Sequence, residues 1–174
     1  MDLSSFDIEF IKLNIGKHTF SWHISPLFFD HFEENIVDKC TGDVKLVFEK
    51  INENLFKLDF SLKGSMHIEC HRCLNEMEFP FADNFSLEMK VSEDILTDEV
   101  NLILVTQEEK KINVATYIYE FCGLQVPLRA TCELIGKECE QKMIELLDKY
   151  IIGTNSEAKE SDPRWNNLKN LKYN

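Results

Sequence analysis

The spacing of the cysteines is the first chemical signal in this sequence. Cys70 and Cys73 form a C-x2-C pair, and Cys132 and Cys139 follow further along the chain with six residues between them. Two thiolates at C-x2-C spacing can supply half of a tetrahedral zinc site or act as a redox-active dithiol. A third interpretation is that these thiols are reduced and structural. The elements that carry them decide between the three.

The C-x2-C pair is predicted to lie at the tip of a β-hairpin. Within Gly64–Phe81, apolar residues alternate with polar ones on both sides of the pair, which is the period of a half-buried strand. A thioredoxin-type dithiol needs its first cysteine at the N-terminus of a helix, where the dipole lowers the pKa of the thiol. A position between two strands therefore disfavours redox catalysis.

A zinc site at this tip would need two more ligands, and the sequence contains no second C-x2-C pair to supply them. Cys132-x6-Cys139 is too widely spaced for a second knuckle, although the fold could bring both thiols to Cys70 and Cys73. The other candidate ligands are His71, Cys122 and Cys40. The pattern favours reduced structural thiols, leaves zinc at the four cysteines as the alternative, and indicates no other cofactor.

Motifs of common catalytic sites are missing from the sequence. It contains no P-loop, nucleophile elbow, H-E-x-x-H motif or Rossmann glycine pattern. Its five histidines are scattered, and 31 acidic residues place carboxylates side by side by chance. We therefore expect no enzymatic activity and assign no catalytic residue.

The net charge of −12 limits the classes of partner. Proteins that grip a nucleic-acid backbone use clustered Lys and Arg, whereas 19 basic residues here face 31 acidic ones. Such a surface is either simply solvated or suited to recruiting a basic protein. No apolar run reaches the roughly 18 residues of a membrane span. The acidic N-terminus resembles no targeting leader, so we expect a cytoplasmic protein with no membrane partner.

The chain has only three arginines, and each lies in a patterned stretch. They are Arg72 inside the predicted tip, Arg129 after Pro127, and Arg164 before Trp165. Capping or pairing with local acids would also explain them. The candidate partner-binding residues are Cys70, Arg72, Cys73, Leu74, Arg129, Arg164 and Trp165.

Periodicity predicts an α+β fold. Alternating apolar residues predict strands in Phe6–Ile15, Thr19–Ile24, Gly42–Lys50, Leu55–Lys63, the hairpin and Phe85–Val91, and the apolar run Leu102–Val105 predicts a buried strand. Helical spacing predicts helices from Pro26 to about Asn35, from Asn113 towards Pro127, and from about Lys137 to Ile152. The N-terminal two-thirds would form an antiparallel sheet or partly closed barrel, followed by two packed helices and a short C-terminal amphipathic helix.

The predicted domain organisation has three parts. Residues 1–152 form a single α+β domain, residues 153–161 a polar linker, and residues 162–174 an amphipathic segment. In that last segment Trp165, Leu168 and Leu171 recur at three-residue spacing. It is expected to dock either on the domain or on a partner.

Together, three stretches of the chain resemble the YceD family of large ribosomal RNA subunit accumulation proteins. The matching residues are Ile68-Glu69-Cys70-His71-Arg72-Cys73-Leu74, then Glu120 with Leu124, Val126 and Pro127, and Asp162-Pro163-Arg164-Trp165 with Leu168. The resemblance implies a role in the synthesis, processing or stability of large-subunit ribosomal RNA, with no established catalysis. Many members carry a cysteine-rich cluster after the Pro127-like position that could complete a metal site. This chain keeps only Cys132 and Cys139 there, which puts metal binding in doubt.

The leading hypothesis is a non-enzymatic ribosome-biogenesis factor that binds a large-subunit ribosomal protein or pre-ribosomal particle, with ribosomal RNA contacted indirectly. The alternative is a structural zinc-binding protein-interaction module unrelated to ribosomes. A nuclease acting in RNA processing is a weaker third hypothesis, because no metal-binding carboxylate motif is present.

Overall fold

A computed structural model describes residues 2–32, 39–92 and 102–150. The strands are β1 (Asp7–Ile8), β2 (Gly16–Ile24), β3 (Cys40–Lys50), β4 (Leu55–Glu69), β5 (Glu76–Val91), β6 (Leu102–Val105) and β7 (Ile112–Asn113). The helices are α1 (Pro26–Phe29), α2 (Ala115–Leu124) and α3 (Gln141–Tyr150). Short 3-10 turns occupy Leu3–Phe6, Phe10–Lys12 and Cys132–Ile135.

Five strands form one open sheet in the order β2-β3-β4-β5-β6. The first four pair antiparallel, and β6 pairs parallel to the end of β5. A separate antiparallel pair joins β1 to β7. The α+β prediction is thus confirmed, and of the two predicted forms the sheet is found rather than a partly closed barrel.

The predicted hairpin is confirmed and is longer than the sequence pattern indicated. Strand β4 continues without a break from Leu55 to Glu69 and pairs with β5 along its whole length, ending at Glu69 opposite Glu76. The strand runs through Gly64, where an added Cβ would collide with the Thr41 backbone oxygen and lie 2.8 Å from the Gly42 Cα. Glycine lets β3 and β4 approach this closely.

One face of the sheet carries the main hydrophobic core. The alternating residues predicted to share a face of β4, Phe56, Leu58, Phe60 and Leu62, are all buried. Helix α2 covers this face through Phe121, whose ring stacks on Phe85 at 4.1 Å and meets Phe60 edge-on at 5.2 Å. Such pairs add to the stabilisation from apolar burial.

The predicted strand over Phe6–Ile15 is wrong. Only Asp7–Ile8 forms a strand, between two 3-10 turns. The first turn is capped by the Asp2 side chain, which accepts from the Ser4 N–H at 3.0 Å. Phe6, Ile8 and Phe10 are nevertheless all buried. Their alternation therefore reflects burial of an irregular segment rather than a sheet strand.

The helices differ from their predicted limits. Helix α1 ends at Phe29 rather than near Asn35, which lies outside the described residues. Helix α3 begins at Gln141 rather than at about Lys137, because the residues before it fold around Cys132 and Cys139. It contains no buried residue, so the predicted packing of two helices is not confirmed. Residues 153–161 and 162–174 lie outside the described part of the chain.

Among the described residues, no helix is long and apolar enough to cross a membrane.

Candidate metal centre

The β4–β5 tip presents Cys70 and Cys73 to the same side. The Cys70 N–H donates to the Asn75 carbonyl at 3.0 Å, and the Leu74 N–H donates to the Cys70 carbonyl at 2.9 Å. Leu74 has a positive φ of 61°, the one described non-glycine residue in this state. A left-handed residue is unfavourable for a branched side chain, so the tip is a tightly specified turn.

The second pair of cysteines is brought to the tip by an irregular segment before α3. The 3-10 turn Cys132–Ile135 ends at Gly136, whose φ of 68° requires the freedom of glycine. The Lys137 N–H then donates to the Cys132 carbonyl at 3.0 Å and reverses the chain. The six residues between Cys132 and Cys139 are therefore a loop that folds back on itself.

Cys70, Cys73, Cys132 and Cys139 converge, and we call this group the cysteine centre. All four sulfur atoms lie within 4.8 Å of one another. The Cys70 and Cys139 sulfurs are 3.7 Å apart, and those of Cys73 and Cys132 are 3.5 Å apart. A zinc tetrathiolate with bonds of about 2.3 Å has sulfur–sulfur edges of about 3.8 Å. The described geometry is close to that of a tetrahedral zinc site.

Backbone N–H groups point at the sulfurs of the hairpin pair. Burial would raise the pKa of the Cys70 thiol, but N–H groups of Cys73, Arg72 and Cys132 lower it to about 6. The Arg72 nitrogen lies 3.5 Å from the Cys70 sulfur. The N–H groups of Asn75 and Glu140 lower the pKa of Cys73, against an opposing effect of burial. These donors favour thiolates, the form that binds a metal.

The pKa values of the second pair, Cys132 and Cys139, are shifted in the opposite direction. Burial and the neighbouring thiols of Cys73 and Cys70 raise the pKa of Cys132 to about 12. Burial, followed by its contact with Cys70, also raises the pKa of Cys139. With no cation between them, four thiols cannot all ionise at such short distances. A divalent cation would reverse that balance and allow four thiolates.

The remaining candidate ligands are not members of the cysteine centre. The His71 N–H of the backbone donates to the Ala130 carbonyl at 2.8 Å, but its ring is not in the group. Cys40 and Cys122 are both buried in the main core. The Cys122 side chain lowers the pKa of Cys40 by hydrogen bonding, so these two thiols form a separate pair.

A closed set of four sulfurs restricts the chemistry of the centre. Structural zinc sites use four protein ligands, whereas catalytic zinc sites keep one position open for water or substrate. Cys70, Cys73 and Cys132 are buried and Cys139 is partly exposed. The arrangement suits a structural metal better than a catalytic one.

The predicted partner-binding residues occupy different environments. Arg72 is joined by an ion pair of 2.9 Å to Glu133, an acid distant in sequence rather than one of the local acids considered above. Leu74 is 62% exposed at the tip, and Arg129 is exposed on the segment leading to Cys132. Arg164 and Trp165 lie outside the described residues. The structure therefore brings Arg72 and Leu74 to the cysteine centre, with Arg129 one residue before Ala130 of its small core.

Three residues close in sequence to Cys132 were missed by the sequence reasoning. Leu128 is fully exposed and Leu134 is half exposed, and Glu133 holds Arg72. An apolar Leu128 between Pro127 and Arg129 was a visible signal, because loops of this kind are usually polar. Glu133 gave no signal, since its partner lies far away in sequence.

Comparison with known proteins identifies the family. Residues 58–172, well over half of the chain, match the model of a family described as "Large ribosomal RNA subunit accumulation protein YceD". No match is found among curated proteins or solved structures. The matched range includes most of β4, all of β5 and all four residues of the cysteine centre. The chain belongs to the YceD family.

Proposed function

We propose that this protein is a non-enzymatic, cytoplasmic ribosome-biogenesis factor that supports the synthesis, processing or stability of large-subunit ribosomal RNA. The observation that carries this proposal is the family match over residues 58–172, whose description names accumulation of the large ribosomal RNA subunit. The cysteine centre is compatible with a non-enzymatic role, because four sulfur ligands would leave a bound metal no open position for water or substrate.

The proposed partner is a basic large-subunit ribosomal protein or a pre-ribosomal particle that contains one. The net charge of −12 repels a nucleic-acid backbone and attracts a basic protein. Ribosomal RNA would then be held indirectly. Because the attraction is between exposed charges, added salt should weaken the association.

The proposed contact surface surrounds the cysteine centre. Large exposed apolar residues are candidates for contacts with a partner protein. Here Leu74, Leu128 and Leu134 are exposed on the two segments that meet at the centre. The proposal also includes Arg129, and, beyond the described residues, Arg164 and Trp165 of the matched range.

Depletion of the protein tests this function. We expect a deficit of large subunits relative to small subunits and a lower level of large-subunit ribosomal RNA, both restored by the wild-type chain. Unchanged subunit profiles and RNA levels would contradict the role. Capture of the protein from lysate, followed by nuclease, should leave the basic partner bound. Recovery of naked ribosomal RNA after protease treatment would contradict indirect binding.

The cysteine centre favours a second candidate function, a zinc-stabilised protein-interaction module unrelated to ribosomes. Both candidates would contain zinc, so metal analysis does not separate them. The depletion experiment does, because the second candidate requires a partner outside the large subunit and normal subunit profiles.

A further inference from the structure

We infer that the cysteine centre binds one Zn²⁺, and that this ion is the main attachment of residues 130–150 to the β4–β5 hairpin. The inference concerns a metal site and its structural consequence. It does not depend on the ribosomal role.

The ligand set points to zinc. The four sulfur donors lie within 4.8 Å of one another, and two of their separations, 3.7 and 3.5 Å, are close to the edge length of a tetrahedral site. Tetrahedral coordination by four thiolates is a preferred arrangement of structural Zn²⁺, whereas Mg²⁺ and Ca²⁺ require oxygen ligands. The described cluster contains no carboxylate or imidazole ligand.

Backbone groups around the hairpin cysteines orient the sulfur atoms for metal binding. The Arg72 N–H reaches the Cys70 sulfur at 3.5 Å, and the turn that directs it is held by the Leu74 N–H bond to the Cys70 carbonyl. Groups that orient metal ligands in this way are as much a part of a metal site as the ligands themselves. The positive φ of Leu74 is energetically unfavourable, so the rest of the turn must hold the residue in this conformation.

The small core around the centre holds little apolar surface of its own. Its buried residues other than three of the four cysteines are Met77 and Ala130, and it is separate from the main core. Helix α3 adds no buried residue and reaches this core only through the partly buried Met143. Apolar packing alone therefore contributes little to holding residues 130–150 against the hairpin.

Few other contacts join the two parts. Among the described residues, the His71 N–H donates to the Ala130 carbonyl, and Arg72 pairs with Glu133. The backbone N–H groups of Cys132 and Glu140 also point at the sulfurs of Cys70 and Cys73, which are themselves ligands of the proposed ion. The ion pair is exposed to solvent, and exposed pairs contribute little. Two ligands from the hairpin and two from the following segment make a metal ion a direct cross-link between them. Its loss should release residues 130–150 and leave the five-stranded sheet folded.

Metal analysis and proteolysis of the full-length protein test this inference together. Purified protein should contain one zinc per chain. After removal of the metal, Co²⁺ added alone should give the visible bands of a tetrahedral site and intense sulfur-to-cobalt charge transfer. Trypsin should then cleave the metal-free protein after Arg129, Lys137 and Lys142 roughly tenfold faster than the zinc form, with Lys57 and Lys63 of β4 still protected.

Two variants provide the comparison. Cys139→Ser removes the partly exposed ligand and should lose stoichiometric zinc, whereas Cys40→Ala changes a buried cysteine outside the centre and should keep it. Absence of zinc or Co²⁺ uptake by the wild-type chain would overturn the metal assignment. Equal acceleration of cleavage in β4 and in residues 130–150 would overturn the role of the ion as a local attachment.

Discussion

Arg72 of the hairpin tip and Glu133 of the following 3-10 turn form an ion pair of 2.9 Å that joins the two halves of the cysteine centre. Arg72 lies between the ligands of the first pair, and Glu133 lies directly after Cys132. The pair therefore orients two ligand-bearing segments from the solvent side.

This ion pair should add little stability by itself. A double-mutant cycle with Arg72→Ala and Glu133→Ala should give a coupling free energy below about 1 kcal/mol, because both side chains are substantially exposed. Denaturant unfolding of the metal-loaded protein measures it. A coupling of several kcal/mol would show that the pair is a principal attachment and would argue against the proposed role of the metal.

Substitutions at Leu74 can distinguish an effect on stability from an effect on partner binding. Since its φ is +61°, Leu74→Gly should leave the free energy of unfolding unchanged or slightly higher, whereas Leu74→Val should lower it by about 1–2 kcal/mol. Denaturant titration of both variants checks this. If Leu74 also contacts the partner, the glycine variant should bind more weakly despite its normal stability. Equal destabilisation by glycine and valine would contradict the assigned conformation.

Gly64 and Gly123 form a matched pair of substitutions. An alanine at Gly64 would collide with the backbone of β3, whereas nothing lies within 4 Å of a Cβ at Gly123. Gly64→Ala should lower the free energy of unfolding by about 1–3 kcal/mol or more, and Gly123→Ala, in helix α2, should raise it by about 0.5–1 kcal/mol. Thermal unfolding of both variants measures the two effects. A tolerated Gly64→Ala would contradict the register of β3 on β4.

Asp7 should make part of the stability pH-dependent. Hydrogen bonds from Lys111, and then from Asn113, lower the pKa of Asp7; the Asn113 amide nitrogen lies 2.7 Å from its carboxylate. A lowered folded-state pKa contributes stability above the unfolded-state pKa, and this contribution disappears as the pH falls through the folded-state value. Wild type should exceed Asp7→Asn in stability at about pH 6, and the difference should shrink towards about pH 3. A difference that grows on acidification would contradict the sign.

The sequence predicted the parts of the fold that depend on a regular period. The faces of β3 and β4 and the position of the hairpin tip follow from strict alternation. The segment around Phe10 alternates as well, but it contains two 3-10 turns with buried aromatic rings, of which only the first, Leu3–Phe6, is capped by Asp2. Periodicity reports which side chains are buried, and it does not distinguish a strand from an irregular segment with the same burial.

The cysteine centre shows a different limit. The pair at Cys70 and Cys73 was recognisable from spacing, whereas the contribution of Cys132 and Cys139 depends on the left-handed Gly136 and on the reversal after it. Spacing in sequence gives only the separation along the chain, and a loop that folds back can bring widely spaced residues close together in space. The four cysteines predicted as alternative zinc ligands do converge, despite the wide spacing of Cys132 and Cys139, and zinc binding itself stays a prediction.

The central claim is that the surface around the cysteine centre attaches this protein to a large-subunit component. Sedimentation of the full-length, tagged protein in a gradient of cell lysate tests it most directly, with Leu128→Asp as the test variant and Ile15→Asp as the control. Leu128 and Ile15 are both exposed, and Ile15 lies at the end of the sheet opposite the hairpin tip. We predict that the wild type and Ile15→Asp migrate with large-subunit particles and that Leu128→Asp remains near the top. Wild-type protein that stays at the top of the gradient, or a Leu128→Asp variant that migrates like wild type, would contradict the account.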